Sequence, residues 1–305
     1  MYLGFDTSNY TTSVAVFDGT KGENRSRLLD VRPGELGLRQ SDAVFAHVKR
    51  LPELADALFQ SVGQGRIDAI GVSTRPRAVE GSYMPCFLAG VSAAKTMASA
   101  LGVPCFAFSH QQGHIAAALW SAGRMDLMNT AHLAWHLSGG TTELLLVEPE
   151  GRNVRATKIG GTTDVSAGQI MDRTGKLLQL NFPSGKALDA LSQQSETKEF
   201  FKVKTAGLRF SFSGLENKIA AFFENCQNPA ETAGYAVRSV CDAVIRTTRD
   251  AQKAYPNLPV VFSGGVASNA MLRKRCAEFD AVFASPEFST DNAMGIAVLT
   301  WLQEV

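Results

Sequence analysis

Two histidines four residues apart are the first side chains in this sequence whose spacing suggests chemistry. His110 and His114 enclose Gln-Gln-Gly, and Ser109 before them is a favourable helix N-cap. Positions i and i+4 of a helix lie on one face, so both imidazoles can reach one metal ion. The pair alone is a weak signal, because the spacing also arises by chance. Gln111 stands where a metalloprotease helix carries its general base, so the spacing does not predict a protease.

Two glycine-rich segments have the composition of turns that hold a nucleotide. Ser138-Gly-Gly-Thr-Thr142 separates two apolar segments, and Gly264-Gly265 follows the apolar residues 260–262 and precedes Asn269. Glycine lets backbone N–H groups approach phosphate oxygens or a flat adenine closely. Each segment is also an ordinary tight turn, so neither alone identifies a site. The sequence contains no phosphate-binding loop of the GxxxxGKS or GxxxxGKT type.

Asp291 and His47 each allow a structural and a functional interpretation. Asp291 stands at the expected start of a terminal helix, where an N-cap is common and a metal ligand is the alternative. His47 falls in a segment with helical spacing of apolar residues. We expect His47 to be structural.

The two halves of the chain share a pattern of strand, polar turn and returning strand. It occurs at 3–16 and again at 133–147. Two such hairpins facing one cleft are typical of the sugar-kinase, heat-shock ATPase and actin superfamily. We therefore expect a two-lobed α/β fold with duplicated ribonuclease-H-like domains. The expected lobes are 1–130 and 131–305, with the terminal helix packing back on the first lobe.

Apolar periodicity and breaker residues predict the remaining elements. A helix over 43–62 should be kinked or split by Pro52. The small-residue segment 87–101 should form a helix that packs on a sheet, with a subunit contact as the alternative. The polar stretch 19–42 should be loop, with one strand as the alternative. Further helices are expected from 110, near 164–180, 186–194, 213–225 and 229–254, and from 291, and strands at 2–6, 12–17, 67–72, 104–108, 132–137, 143–147, 260–262 and 282–284.

Composition is that of an ordinary globular protein. Of 305 residues, 45% are hydrophobic and 19% charged, and the formal net charge of +1 gives no overall field for a nucleic acid. No apolar run is long enough to span a membrane, and no signal-peptide pattern is present. Five scattered cysteines without CxxC spacing indicate reduced thiols, so we expect a soluble, cytoplasmic protein with no membrane partner. A local basic surface remains open, and its candidates are Arg75, Arg77, Lys202, Lys204, Arg209 and Lys218.

Several motifs, in the same order along the chain, together resemble one family. The sequence is similar to the TsaD-type tRNA N6-adenosine threonylcarbamoyltransferases, once described as O-sialoglycoprotein endopeptidases, from residue 1 to about 300. Besides His110 and His114, the motifs that carry the resemblance are Leu3-Gly-Phe-Asp-Thr-Ser8, Ser138-Gly-Gly-Thr-Thr142, Thr163-Asp-Val-Ser-Ala-Gly-Gln-Ile-Met-Asp172, Phe182-Pro-Ser-Gly185, Phe210-Ser-Phe-Ser-Gly214, Gly264-Gly-Val-Ala-Ser-Asn269 and Thr290-Asp-Asn292.

The resemblance implies a metal-dependent transfer of a threonylcarbamoyl group from threonylcarbamoyl-adenylate to an adenosine of tRNA. It implies iron or zinc held by His110, His114 and Asp291, and His136 stands where some members have a tyrosine, which suggests a third imidazole ligand. The implied partners are an adenine nucleotide or acyl-adenylate, tRNA, and a paralogous subunit on the first lobe. Asp172 and Asp291 are the implied catalytic residues. Nucleotide or substrate contacts are implied for Ser8, Ser138, Gly139, Gly140, Thr141, Thr142, Asp172, Gly185, Asp189, Gly264, Gly265 and Asn269.

The sequence departs from the family pattern mainly in the first hairpin. Asn9-Tyr10-Thr11 replaces the usual Cys-Asp-Glu, which removes two carboxylates from the acid–base chemistry. Thr141 replaces the usual histidine or asparagine, and Asp164-Val-Ser-Ala-Gly-Gln169 replaces Asp-Asp-Ala-Ala-Gly-Glu. Two alternatives stay open: a carbamoyl-type transferase with another acceptor, and a non-catalytic nucleotide-binding subunit.

Overall fold

The computed structural model describes residues 1–8, 10–30, 39–290 and 292–304. The chain divides into two compact units. Unit 1 comprises Met1–Thr130, Glu148–Ala156 and Asp291–Val305, and unit 2 comprises Ala131–Val147 and Thr157–Thr290. Unit 1 is therefore assembled from three separate segments of the sequence.

The helices and strands follow one another in a largely alternating order. The helices are α1 (Gln40–Val62), α2 (Phe87–Leu101), α3 (His110–Ser121), α4 (Ala167–Leu177), α5 (Gly185–Ser192), α6 (Leu215–Cys226), α7 (Pro229–Ala254), α8 (Ala270–Arg275) and α9 (Met294–Glu304). The strands are β1 (Tyr2–Thr7), β2 (Thr11–Phe17), β3 (Gly22–Leu28), β4 (Ala69–Arg75), β5 (Cys105–Ser109), β6 (His132–Leu137), β7 (Thr142–Glu150), β8 (Asn153–Thr162), β9 (Thr205–Ala206), β10 (Arg209–Phe210), β11 (Val260–Ser263) and β12 (Ala281–Phe283).

Two sheets repeat one strand arrangement. The first has the order β3-β2-β1-β4-β5, and the second contains β8-β7-β6-β11-β12 with β10 and β9 added beyond β8. In each, an antiparallel hairpin, β1–β2 or β6–β7, continues into a parallel neighbour, β4 or β11. This duplication confirms the α/β fold with two related halves that the sequence repeat predicts.

Small side chains let α2 lie close to the sheet of unit 1. Ala94 and Ala98 are buried, and the Gly90 N–H donates to Thr7 Oγ1 at 3.2 Å. A Cβ at Gly90 would lie 2.9 Å from that oxygen. The predicted packing of this helix on a sheet is confirmed, since α2 contacts both β1 and β4.

The last helix completes unit 1. α9 packs against α3, β1 and β4, and all of Met294–Thr300 is buried. A Cβ at Gly295 would lie 1.8 Å from the Gly113 carbonyl oxygen. Glycine is therefore required where α9 crosses α3, and the two backbones come into direct contact.

Unit 2 has its own apolar core between one face of its sheet and α4–α7. Trp135 on β6 and Phe262 on β11 are fully buried in it. The Trp135 indole N–H donates to Thr248 Oγ1 on α7 at 2.9 Å. That bond satisfies the polar atom of the largest core side chain and fixes α7 over the strands.

Several elements differ from the expectations. α1 runs through Pro52 without interruption, because its inner face, with Leu51 and Leu58, is buried on the sheet and compensates for the missing backbone bond. β8, β9 and β10 were not predicted. The expected start of the last helix at Asp291 lies outside the described residues, and the helix is described from Met294. Within the described ranges, no helix is long and apolar enough to cross a membrane.

Candidate functional site

α3 brings the two histidines of unit 1 together. The helix begins where Ser109 caps it: Ser109 Oγ accepts the Gln112 N–H at 3.2 Å, and the Gln112 side chain accepts the Ser109 N–H at 2.9 Å. The Nε2 atoms of His110 and His114 lie 2.9 Å apart. Two imidazole nitrogens therefore converge on one point, as their spacing predicts.

A buried carboxylate stands behind the first of these imidazoles. Asp6, on β1, is 0% exposed, and its Oδ1 lies 2.9 Å from His110 Nδ1. Such a carboxylate holds the proton on Nδ1 and leaves Nε2 as the coordinating nitrogen. Sequence reasoning missed this role, although Asp6 belongs to the Leu3–Ser8 motif.

Two imidazoles with a carboxylate behind one of them have the donor chemistry of a zinc or iron site. Among the described residues, no three His, Cys, Asp or Glu side chains form a metal-binding group. Asp291 lies outside the described residues. His136 belongs to unit 2, where its Nδ1 is 3.4 Å from Ser263 Oγ. The ligand roles of His136 and Asp291 therefore stay predictions.

In unit 2, the hairpin between β6 and β7 is held open to solvent. The Ser138 N–H donates to the Thr141 carbonyl at 2.8 Å, and the Thr141 N–H donates to Ser138 Oγ at 3.1 Å. Gly139 and Gly140 are exposed, and a Cβ at either would meet nothing within 4 Å. Their backbone is therefore accessible to a ligand such as phosphate.

The start of α4 supports this hairpin from behind. The Ala167 N–H donates to Thr142 Oγ1 at 2.7 Å, and Ser166 Oγ donates to the Gly139 carbonyl at 2.5 Å. A Cβ at Gly168 would lie 2.5 Å from the Ser138 carbonyl oxygen. Only glycine permits this approach, so two motifs that are distant in sequence form one rigid turn.

The turn after β11 joins the same region. Gly264 has a φ of +91°, and a Cβ there would lie 2.2 Å from the Leu137 carbonyl oxygen at the end of β6. Gly265 is exposed, with nothing within 4 Å of its Cβ position. The structure thus brings Gly264 against the hairpin and leaves Gly265 open.

Two carboxylates lie beside these turns. Asp189, on α5, accepts hydrogen bonds from the Asn269 side chain at 2.7 Å and from the Ala270 N–H at 3.2 Å. Asp172, on α4, accepts the Ser184 N–H at 2.9 Å. Burial raises the pKa of both carboxyl groups, and these hydrogen bonds oppose the rise only in part. Both groups are suited to accept hydrogen bonds from hydroxyls or amines.

Gly185 and Ser8 complete the predicted set. Gly185 is the exposed first residue of α5 and follows Ser184, so it lies next to Asp172. Ser8 is buried at the end of β1, in unit 1. Of the altered first hairpin, Asn9 lies outside the described residues, Tyr10 is exposed and Thr11 is buried.

Asp164 connects two further motifs, a role that sequence reasoning missed. Its carboxylate accepts the N–H groups of Val165, Phe212 and Ser213 at 2.7, 2.9 and 2.9 Å. It also accepts the hydroxyls of Thr162 at 3.0 Å and Ser211 at 2.5 Å. Burial acts to raise the pKa of Asp164, but these donors outweigh it and the pKa is lowered. No local signal reveals partners almost fifty residues away.

The candidate basic residues are divided between the two units. All six are exposed, but Arg75 and Arg77 belong to unit 1 and the other four to unit 2. Their contact with RNA stays a prediction.

Comparison with known proteins identifies the family. The sequence model of TsaD, tRNA N6-adenosine threonylcarbamoyltransferase, matches residues 35–298. One relative, the tRNA N6-adenosine threonylcarbamoyltransferase of Geotalea uraniireducens strain Rf4, is 31% identical over 289 residues, which covers 88% of this chain and 80% of the relative.

Solved structures share the fold at low sequence identity. The activator of the 2-hydroxyisocaproyl-CoA dehydratase from Clostridium difficile, with bound ADPNP, has a TM-score of 0.56 and 14% identity, over 100% of this chain and 96% of that one. Full-length HypF in a phosphate- and nucleotide-bound form has a TM-score of 0.63 and 12% identity, over 100% of this chain and 46% of that one. The ROK hexokinase from Thermus thermophilus has a TM-score of 0.55 and 15% identity, over 99% and 98%.

These neighbours show the actin-like ATPase and sugar-kinase fold that the sequence predicts. The sequence match extends over most of the chain, in the region that carries the paired histidines and the glycine turns. The chain therefore belongs to the TsaD family.

Proposed function

We propose that this chain transfers a threonylcarbamoyl group from threonylcarbamoyl-adenylate to N6 of an adenosine in tRNA, in a metal-dependent reaction. Family membership and the relative's name support tRNA as the acceptor. The observation that carries the proposal is the pair of Nε2 atoms 2.9 Å apart, with buried Asp6 fixing the His110 tautomer. A subunit that only bound a nucleotide would have no use for such an arrangement.

Unit 2 would bind the adenylate. The backbone of Gly139 and Gly140 is open to phosphate oxygens, and the hydroxyls of Ser138, Thr141 and Thr142 border the same turn. Gly265 is open to a flat adenine. Asp189, held by Asn269, would accept ribose hydroxyls.

The chemistry requires an amine attack and a proton transfer. The N6 amine attacks the carbamoyl carbon, a C–N bond forms, and the C–O bond to the phosphate of AMP breaks. Asp172, with its raised pKa, is our candidate to accept the amine proton, since a less acidic carboxyl is a better base. A divalent metal held by His110 and His114, with Asp291 as a further proposed ligand, would act as a Lewis acid on a carbamoyl or phosphoryl oxygen.

Two further parts of the proposal concern partners and location. We propose a paralogous subunit on unit 1 and a cytoplasmic location, both of which rest on the family resemblance. Adenine nucleotide binding is supported by the fold, because two of the neighbouring structures contain bound nucleotides.

A reconstituted transfer assay tests the proposal. Purified protein is incubated with threonine, bicarbonate, ATP, an adenylate-forming enzyme, a paralogous partner subunit and unmodified tRNA, and the nucleosides are read by mass spectrometry. Threonylcarbamoyl-adenosine should form with the wild type and be absent with His110→Ala. Gln111→Ala, which changes a neighbour on the same helix that is not a ligand, should retain activity.

Absence of the modified nucleoside, from protein that still binds AMP and metal, would show that tRNA is not the acceptor. Metal-dependent consumption of the adenylate without tRNA modification would then favour a carbamoyl-type transferase with another acceptor. Product formed at the wild-type rate by His110→Ala would contradict the metal role.

A further inference from the structure

We propose that Phe182 is a stacking platform for an unpaired base of the RNA substrate. Its side chain is 81% exposed, more than any other large apolar side chain among the described residues. Aromatic rings presented to solvent bind single-stranded nucleic acid because each base has a flat face that stacks on them. The inference rests on the proposed function, since that function supplies the RNA.

The backbone that carries Phe182 is fixed to α4. The Ser184 N–H donates to Asp172 at 2.9 Å, and Ser184 Oγ donates to the Asn181 carbonyl at 3.2 Å. A Cβ at Gly175 would lie 2.1 Å from Ser184 Cβ, so Ser184 packs directly on the surface of α4. Phe182 therefore projects from a turn whose backbone is fixed by hydrogen bonds. Because that backbone is already ordered, stacking a base on the ring would cost little conformational entropy.

Two exposed lysines near this turn can contact a phosphate backbone. Between the carboxylates Asp172 and Asp189, which bound this stretch, the sequence contains three basic residues. Arg173 pairs with Glu216 at 2.6 Å. Lys176 and Lys186 are both exposed. Neither forms an ion pair with a described carboxylate, so both are available to neutralise phosphates.

The shape of the turn favours RNA over the small nucleotide. Asn181, Phe182 and Pro183 are all exposed, and the Phe182 ring projects into solvent. A small nucleotide gains affinity by being enclosed, whereas a projecting ring can engage only a ligand that extends over it. The turn adjoins Asp172, so a base stacked on Phe182 would belong to the acceptor strand beside the reactive adenosine.

Binding measurements on the full chain test the inference. Affinities for an unmodified fluorescent tRNA and for AMP are measured for the wild type, Phe182→Ala and Phe182→Tyr. Removing the platform for one base should weaken tRNA binding by about 5- to 150-fold in Phe182→Ala. Phe182→Tyr should bind like the wild type, and AMP affinity should not change. Since the side chain is exposed, thermal unfolding of both variants should match the wild type.

Two controls separate stacking from general effects. Phe200→Ala removes another exposed aromatic of unit 2 and should leave tRNA affinity unchanged. Lys176→Ala with Lys186→Ala should lower the slope of log affinity against log salt by about 0.7 for each phosphate that is no longer neutralised.

The outcomes distinguish this inference from the proposed function. Unchanged tRNA affinity in Phe182→Ala, an equal loss of AMP affinity, or no tRNA binding by the wild type each overturns the stacking role. If tRNA affinity is unchanged or AMP affinity falls equally, but the wild type still forms modified adenosine, the transferase assignment is retained and only the stacking role is rejected. A selective loss of tRNA affinity, from a wild type that forms no product, would support the RNA contact and reject the transferase.

Discussion

Asp6 orients the imidazole of His110 by accepting a hydrogen bond from its Nδ1–H group. With Oδ1 2.9 Å from Nδ1, the carboxylate determines which ring nitrogen faces His114. The second oxygen, Oδ2, is buried and has no hydrogen-bond partner among the described residues. An unpartnered buried oxygen is costly to the fold, so we interpret Asp6 as a residue retained for the site.

Asp6→Asn should therefore weaken metal binding by about 10- to 100-fold, the usual effect of removing a carboxylate behind a histidine ligand. Affinity for Zn²⁺ can be measured by competition with a chromogenic chelator. Asp18→Asn changes an exposed turn carboxylate of the same unit and should have no effect. Equal affinities for Asp6→Asn and the wild type would rule out the orienting role.

His47 is the second buried histidine of unit 1, and it supports the fold as expected. It is 0% exposed, and its Nδ1 lies 2.8 Å from Thr12 Oγ1. Burial lowers the pKa of His47 to about 4. The neutral ring is thus the form that the folded protein holds.

This pKa predicts a loss of stability in mild acid. The unfolded chain takes up a proton near pH 6.5 and the folded chain only near pH 4, so the stability present above pH 6.5 decreases as pH falls between these values. The loss should reach about 3 kcal/mol at most. Urea denaturation from pH 7 to 4 should show it for the wild type and for Thr12→Val, which keeps the imidazole. His47→Asn should lack this slope, and an unchanged slope in that variant would contradict the assignment.

At the scale of elements, α4 and the β6–β7 hairpin are joined rigidly. Hydrogen bonds between backbone and hydroxyl groups hold the start of the helix against the turn. Asp164 extends this rigid region to the Phe210–Gly214 motif through five hydrogen bonds. The 162–165 stretch and residues 211–213 therefore meet at one carboxylate, just before the helix that supports the hairpin.

Asp164→Asn should destabilise the protein by about 1–2 kcal/mol at pH 7, since an amide cannot accept all five donors and solvent screens part of the loss. The lowered pKa of Asp164 means that its stabilisation is present above pH 3.8 and disappears as pH falls below it. The difference in free energy of unfolding between the variant and the wild type should accordingly become smaller toward pH 3. Asp250→Asn, which changes a surface ion pair with Lys253, should cost less than about 0.5 kcal/mol. A difference in stability that did not change with pH would show that the charge of Asp164 does not stabilise the fold.

The sequence predicts elements whose signals are local. Ser109 marks the start of α3, and an uninterrupted amphipathic pattern gives α7 its bounds of Pro229–Ala254. β8 was missed because Asn153–Thr162 alternates irregularly and has two glycines near its end, so only its neighbours in the sheet make it a strand. The same limit applies to the site: the His110/His114 spacing is visible in the sequence, whereas Asp6 and Asp164 act through partners far along the chain.

At the scale of the whole molecule, unit 1 depends on residues from both ends of the sequence. α9 lies against α3, β1 and β4, and the Ala293 N–H donates to Asn24 on β3 at 3.0 Å. The contact of α9 with α3 is close enough that Gly295 touches the Gly113 backbone. The histidine-bearing helix is therefore held in place by the last helix, which contacts it at Gly113, between His110 and His114 in the sequence.

Gly295→Ala should destabilise unit 1 by about 1–3 kcal/mol, because the added methyl group must displace backbone atoms of α3. Hydrogen exchange should increase in peptides from β1, β4 and α3, with α7 protected as in the wild type. Gly265→Ala is the control, since open space surrounds that position, and its stability should be close to the wild-type value. Unaltered exchange in α3 of Gly295→Ala would contradict the close approach.

The three-segment composition of unit 1 also fixes an order of events on the ribosome. All of Thr157–Thr290, the larger part of unit 2, is synthesised before α9. At about 5–20 residues per second, the first sheet and α3 must wait roughly 10–35 s for the helix that covers them. During that interval the nascent chain exposes the apolar faces of β1 and β4. Unit 2 can finish folding first, so the half of the protein that is synthesised first is the last to be completed.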